Sequence, residues 1–264
     1  MTEESWPPLG WEPRDHPHRG HRHAYYVVGA REAPSVLLLH EFPGISVNLV
    51  EFAERLAADF RVVVPSIVGR DGDPGIVGSL ARLCVRREVN LVVRGRTSPA
   101  VAWLRELADE VVARRVDAPY GVVGMCMTGG FALAVAVDPR VRAAVVAQPA
   151  LPAARVLRRL PLPMSRRRTA DLGLSPADRD TLAARTAADP DALCVRGYRF
   201  RDDWQSPAAR LDSTVDLLGP ESVRVVTLTE PRPDAHSTLT GGSRNAAAVE
   251  EVVAFLRDRL APPG

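Results

Sequence analysis

Residues 120–130 read Tyr-Gly-Val-Val-Gly-Met-Cys-Met-Thr-Gly-Gly. An apolar strand end, Tyr120 to Val123, runs straight into a buried helical stretch, Phe131 to Val137, with small residues at the junction. A chain that turns this sharply from strand to helix needs glycine at the points of close approach and tolerates strain at the residue between them. Gly124 and Gly130 bracket Cys126, so Gly-x-Cys-x-Thr has the form of a nucleophile elbow, with cysteine for serine and threonine for the last glycine. Such a turn lifts the sulfur to the top of a sheet and leaves helix N–H groups facing it, which favours a thiolate and an oxyanion alike. The alternative is a tight βα turn holding an ordinary buried cysteine.

The segments around this turn alternate between strand and helix patterns. Tyr25 to Val28 and Val36 to His40 are apolar runs; Leu49, Phe52, Ala53 and Leu56 recur at helical spacing; Phe60 to Val64 is the next β-branched run, stopped by Pro65. Strand, helix, strand with short turns is a βαβ signature. Pro99 opens a helix expected from about Val101 to Arg115. Val141 to Ala147 is a strand closed by Gln148-Pro149, and Ser175 caps a helix beginning at Pro176. Cys194 to Phe200, Pro207 to Leu218, Val223 to Leu228 and Asn245 to Leu260 give strand, helix, strand, helix. Six or seven strands alternating with helices predict an α/β fold with one doubly wound, mostly parallel sheet and Cys126 at its C-terminal rim.

Residues 1–20 carry Pro7, Pro8, Pro13 and Pro17 with little apolar periodicity, and are expected to form a flexible tail or extended strap. Residues 21–264 then form a single domain, with 150–175, rich in Pro and Arg, as an insertion or cap on the rim. Residues 79–94 show no clear period. No apolar stretch is long enough to span a membrane and Met1 to Gly10 has no apolar core, so a cytoplasmic protein is expected. All 34 basic residues are arginine, against 32 acidic ones. A net charge of +2 and no basic face with aromatic interleaving argue against nucleic-acid binding. The cluster Arg155, Arg158, Arg159, Arg166, Arg167 and Arg168 reads as a solvated segment, or else as a partner surface. Cys84, Cys126 and Cys194 form no CxxC pair and suit a reducing compartment.

A nucleophilic sulfur needs a base within reach. Of six histidines, His16, His18, His21 and His23 crowd the first 23 residues, where their spacing gives no shaped metal cage. His236 follows the strand Val223 to Leu228 in Pro-Asp-Ala-His-Ser, a rim position suited to a base. His40 ends a strand at the same rim and is better placed to orient a loop through hydrogen bonds. Asp202 and Asp203, beyond the strand ending near Phe200, could each orient His236. Nucleophile, acid, base is the chain order of α/β-hydrolases.

With these residues in place the chain resembles the dienelactone hydrolase family, also called carboxymethylenebutenolidases, from about residue 23 to 260. The marks are His40-Glu41-Phe42-Pro43-Gly44, the Gly124-Met125-Cys126 elbow, Asp203 followed by Pro207, and Ala235-His236-Ser237. The resemblance implies a three-layer α/β-hydrolase fold and selects Asp203 over Asp202 through the proline offset. It implies a thioester formed on Cys126 from a small lactone or activated ester, then hydrolysis aided by His236. Glu41 would help form the thiolate, and the N–H groups of Phe42 and Met127 would hold the oxyanion. Family substrates carry a carboxylate bound by arginines, for which Arg87, Arg96 and Arg70 are the candidates. No cofactor or metal is called for, and a monomer or weak homodimer is expected. Thr128, where many members have glycine, and Pro43 depart from the pattern, and Met127 and Thr128 are expected to alter the pocket. The rival reading is a catalytically weak binding protein on the same scaffold.

Overall fold

The computed structural model describes residues 6–72, 95–113, 118–150 and 169–261. Eight strands form one sheet in the order β1-β2-β4-β3-β5-β6-β7-β8. They are β1 (Arg14–His18), β2 (His21–Val28), β3 (Ser35–Leu39), β4 (Arg61–Pro65), β5 (Tyr120–Met125), β6 (Val141–Ala147), β7 (Cys194–Phe200) and β8 (Val223–Leu228). β1 pairs with β2 and β2 with β4 antiparallel, and every pairing from β4 to β8 is parallel. Among the described residues the α-helices are α1 (Val47–Ala57), α2 (Pro99–Leu107), α3 (Gly129–Val135), α4 (Pro176–Ala188), α5 (Ala208–Leu218) and α6 (Ala246–Leu260). This is the three-layer α/β-hydrolase architecture.

Parallel strands covered on both faces read as unbroken apolar runs because successive side chains enter opposite layers. Leu37 and Leu39 pack with Trp103, Leu104, Phe131 and Leu133 on one face. Val36 and Leu38, their chain neighbours, pack with Phe52, Leu56, Val252 and Leu256 on the other. Each such leucine is fully buried, which contributes about 1.5–3 kcal/mol per side chain. Helix starts are fixed locally: Ser175 Oγ accepts from Asp178 N at 3.2 Å and Asn245 Oδ1 from Ala248 N at 2.9 Å. The helix expected to reach Arg115 is α-helical only to Leu107 and continues as a wider π turn through Ala108–Val112.

Residues 6–20, within the segment expected as a tail or extended strap, contribute to both core and sheet. Trp11 is buried, and β1 forms an antiparallel hairpin with β2 that brings His16 opposite His23. The inward positions of this hairpin are histidines instead of aliphatic residues, and α2 with its continuation supplies their partners. Trp103 Nε1 donates to His16 Nδ1 at 3.2 Å, so His16 Nε2 carries the proton given to Glu110, 3.0 Å away. His18 Nδ1 lies 2.6 Å from Glu106 Oε2, and the His23 ring stacks on Trp103 at 4.3 Å. The clustered histidines are thus a polar dock for an edge hairpin. Among the described residues no group of three or more His, Cys, Asp or Glu is arranged to hold a metal ion, and no helix there is long and apolar enough to cross a membrane.

Candidate active site

β5 ends extended at Met125, and Cys126 then takes φ 54°, the left-handed conformation that costs a side-chain-bearing residue of order 1–3 kcal/mol. A single turn, Cys126–Thr128, leads into α3. Gly124 permits this fold-back: a Cβ there would lie 2.4 Å from Thr128 O and 2.8 Å from Ala132 Cβ. Gly130 plays the same part against the rim, where a Cβ would meet Leu172 O at 2.7 Å. Thr128 is fully buried beneath the turn. Its Oγ1 accepts from Met125 N at 3.0 Å and shares its proton between Met125 O (2.9 Å) and Leu39 O (3.2 Å), tying the elbow to β3. Cys126 remains partly exposed, and its carbonyl accepts from Ala150 N at 3.0 Å.

Asp203 sits on the loop after β7, held from below by the buried Arg199. That guanidinium donates to Ser206 O (2.9 Å) and Arg201 O (2.8 Å). Asp203 Oδ1 accepts from Gln205 N at 2.9 Å, leaving Oδ2 to meet His236 Nδ1 at 2.7 Å. Asp202, the other candidate, is exposed and gives its N–H to Glu230. His236 Nε2 is buried without a formed hydrogen bond. Burial alone would push the imidazole down; the charge of Cys126 and the hydrogen bond to Asp203 outweigh it and raise His236 to about 10. The structure therefore brings His236 and Asp203 together as a buried, hydrogen-bonded pair.

Glu41 lies on the same rim, but both carboxylate oxygens face the His236 loop. Oε2 accepts from Ser237 Oγ at 2.7 Å, and Oε1 accepts from Thr240 Oγ1. His40 is fully buried; its Nδ1–H donates to Glu41 O at 2.8 Å, and its Nε2 accepts from Ile67 N at 2.9 Å. It joins the β3 and β4 loops as a neutral ring, pushed below its ordinary range by burial. Phe42 and Met127 are half-buried beside the elbow. Arg70 and Arg96 are exposed, and Arg87 and Cys84 fall outside the described residues, as do Arg155–Arg168.

Two site residues were not singled out from the sequence. Gln148, at φ 32° and fully buried, accepts through Oε1 from Thr238 N (3.1 Å) and Thr238 Oγ1, so β6 anchors the His236 loop. Its position directly after a buried strand and before Pro149 was the available signal. Arg210, in the first turn of α5, is buried, and that burial pushes its guanidinium down to about 10. Nothing in Pro-Ala-Ala-Arg distinguishes it from an exposed helical arginine.

The profile of the Dienelactone hydrolase family matches residues 23–170 of the chain. No curated protein matches it. Among solved structures, one assigned as a dienelactone hydrolase from Klebsiella pneumoniae superposes with a TM-score of 0.61 at 17% identity, covering 96% of this chain and 98% of that one. A 2,6-dihydroxy-pseudo-oxynicotine hydrolase gives 0.60 at 18% identity, covering 95% and 68%. Acetyl xylan esterase 1 from Thermoanaerobacterium gives 0.57 at 15% identity, covering 98% and 87%. At these identities the structures speak for the shared fold, and the profile, spanning more than half of the chain, speaks for the family. With the elbow, the rim loops and the sheet order in agreement, the chain belongs to the dienelactone hydrolase family.

Proposed function

We propose that this chain, a hydrolase of small esters or lactones by family, works through Cys126 as nucleophile, His236 as proton carrier and Asp203 as its orienting acid. The observation that carries this reading is the 2.7 Å Asp203–His236 bond behind a cysteine held at φ 54° on a glycine-flanked elbow. The thiolate attacks the substrate carbonyl, and the N–H groups of Phe42 and Met127 receive the developing oxyanion. Collapse expels the alcohol or enol oxygen, which takes the proton from His236, and leaves a thioester on Cys126. Acylation removes the negative charge that holds His236 protonated. The neutral imidazole then takes a proton from water, whose oxygen attacks the thioester and releases the acid.

Glu41 enters this scheme through the His236 loop, which its carboxylate pins at Ser237 and Thr240. Thiolate formation by Glu41 would require its carboxylate to leave those hydroxyls. Unsaturated lactones with a carboxylate are the narrower substrate class implied by family resemblance. A panel of such lactones and aryl esters tests the reading. Turnover of at least one by the wild type, lost in folded Cys126→Ala, supports it; retained turnover in that variant refutes it.

A further inference from the structure

Gln148 stands at the seam between the elbow and the His236 loop, in a form that packing alone does not explain. It directly follows β6, whose neighbours in the sheet are β5 and β7. Its φ of 32° lies in the left-handed region that a side-chain-bearing residue seldom adopts. The side chain is fully buried, and its Nε2 has no hydrogen-bond partner among the described residues. The amide cannot turn over to satisfy that NH2 group. Thr238 N can only donate, so the atom it meets at 3.1 Å must be Oε1. A buried donor left unpaired destabilises a fold, and a thioether or aliphatic side chain of similar size would avoid it. What glutamine supplies here is one acceptor oxygen, shared by Thr238 N and Thr238 Oγ1.

The backbone beside that oxygen is tied to the nucleophile. Ala150 N donates to Cys126 O at 3.0 Å, and Gln148 N donates to Tyr198 O on β7 at 2.6 Å. Pro149 packs on the elbow, where a Cβ built on Gly129 would lie 3.0 Å from Pro149 Cβ. Residues 148–150 thus bond to Cys126 through their backbone and to the His236 loop through one side chain. Glu41 grips the same loop from the other side, at Ser237 and Thr240. β3, which precedes Glu41, and β6, which precedes Gln148, are the two strands that flank β5. The strand bearing the nucleophile therefore lies between the two strands whose ends hold the base loop. We propose that Gln148 is a positioning residue for proton transfer: by fixing Thr238, two residues beyond His236, it sets where the imidazole stands relative to Cys126. The His236 loop then takes its register from the sheet through Gln148 as well as through Glu41.

This inference rests on Cys126 and His236 as the reacting pair, and one of its readouts needs no substrate. Gln148→Met keeps the side-chain size and removes both the acceptor and the unpaired NH2. Its urea midpoint is expected to stay near that of the wild type, since one unpaired buried donor, Nε2, is exchanged for another, Thr238 N. For an ester that the wild type hydrolyses, kcat is expected to fall about thirtyfold with KM within about twofold. Thr238→Val removes only the hydroxyl bond and is expected to lower kcat about threefold. The double variant is expected to be no slower than Gln148→Met, because both changes act through one contact. In proton NMR spectra of the free protein, the His236 Nδ1–H shared with Asp203 is expected at low field. It should move upfield and exchange faster with water in Gln148→Met, and to a smaller extent in Thr238→Val, which decides the question should Gln148→Met fail to fold. An unmoved His236 resonance in the folded variants, additive losses in the double variant, or a rise in KM with kcat retained overturns the proposal. Where the wild type turns over no ester, the hydrolase reading fails and the resonance alone decides this one.

Discussion

Asp203 Oδ2 and His236 Nδ1 stand 2.7 Å apart, with the carboxylate side chain 1% exposed and the imidazole 13%. A bond this sheltered fixes the ring and its proton: Nδ1 must donate, so Nε2 is the atom that exchanges protons with the reacting groups. Asp203→Asn would offer the ring an amide N–H, reverse the tautomer and place a proton on Nε2 permanently. The expected outcome is a fall in kcat of about 10³-fold with little change in KM. A loss under tenfold would show that the bond does not set the tautomer.

The elbow strain is stored at the functional residue itself. Cys126→Gly should stabilise the fold by about 1 kcal/mol, since glycine adopts φ 54° freely, while abolishing turnover. Gly124→Ala should destabilise by 3 kcal/mol or about that, because its Cβ would lie 2.4 Å from a backbone oxygen. Urea denaturation of the two variants distinguishes strain at Cys126 from general sensitivity of the turn: both falling in stability would contradict it.

His40 gives a pH dependence with a definite sign. Burial holds its folded-state pKa below the ordinary value near 6.5, so the unfolded chain binds a proton that the folded one refuses. The stability associated with neutral His40 is fully present above about pH 6.5 and is lost as pH falls. His40→Ala, which strands the Ile67 N–H, should cost about 2 kcal/mol at pH 7. It should also flatten the decline between pH 6.5 and 5. Parallel denaturant curves for wild type and variant over that range would contradict the assignment of a buried neutral ring.

Glu41 is expected to act on catalysis through the His236 loop. Glu41→Gln replaces one of two acceptors with a donor facing Ser237 or Thr240. We expect kcat to fall about tenfold, and stability by about 1 kcal/mol. Ser237→Ala should give a smaller loss of both. If Glu41→Gln abolished turnover while Ser237→Ala left it untouched, Glu41 would be acting on the sulfur directly.

The sheet and the elbow were legible because both follow from local sequence. Val36–Leu39 and Val62–Val64 are apolar without interruption, as strands covered on both faces are. Gly124, Gly129 and Gly130 mark where backbones must approach. His236 and the pair Asp202 and Asp203 were singled out by loop position and chain order, the family resemblance chose Asp203, and it is Asp203 that meets His236. β1 was missed because its buried positions are His16 and His18, whose partners Glu106, Glu110 and Trp103 lie some ninety residues away. Thr128 was read as a pocket residue, whereas its hydroxyl serves backbone groups of β3 and β5. Arg210 was invisible because solvent-facing and buried arginines look alike in a chain whose 34 basic residues are all arginine. Contacts that depend on distant polar partners leave no periodic trace.

The central claim is that Cys126 carries the acyl group, and quenched intact-mass analysis tests it most directly. Wild-type protein mixed with a small aryl ester and acid-quenched within the first turnovers should gain the mass of one acyl group, located by peptide mapping on Cys126. His236→Ala should slow both the gain and the loss of that group. Cys126→Ala should gain nothing and release no phenol above background. Undiminished turnover in Cys126→Ala, or an acyl group mapped to any other residue, would contradict the account.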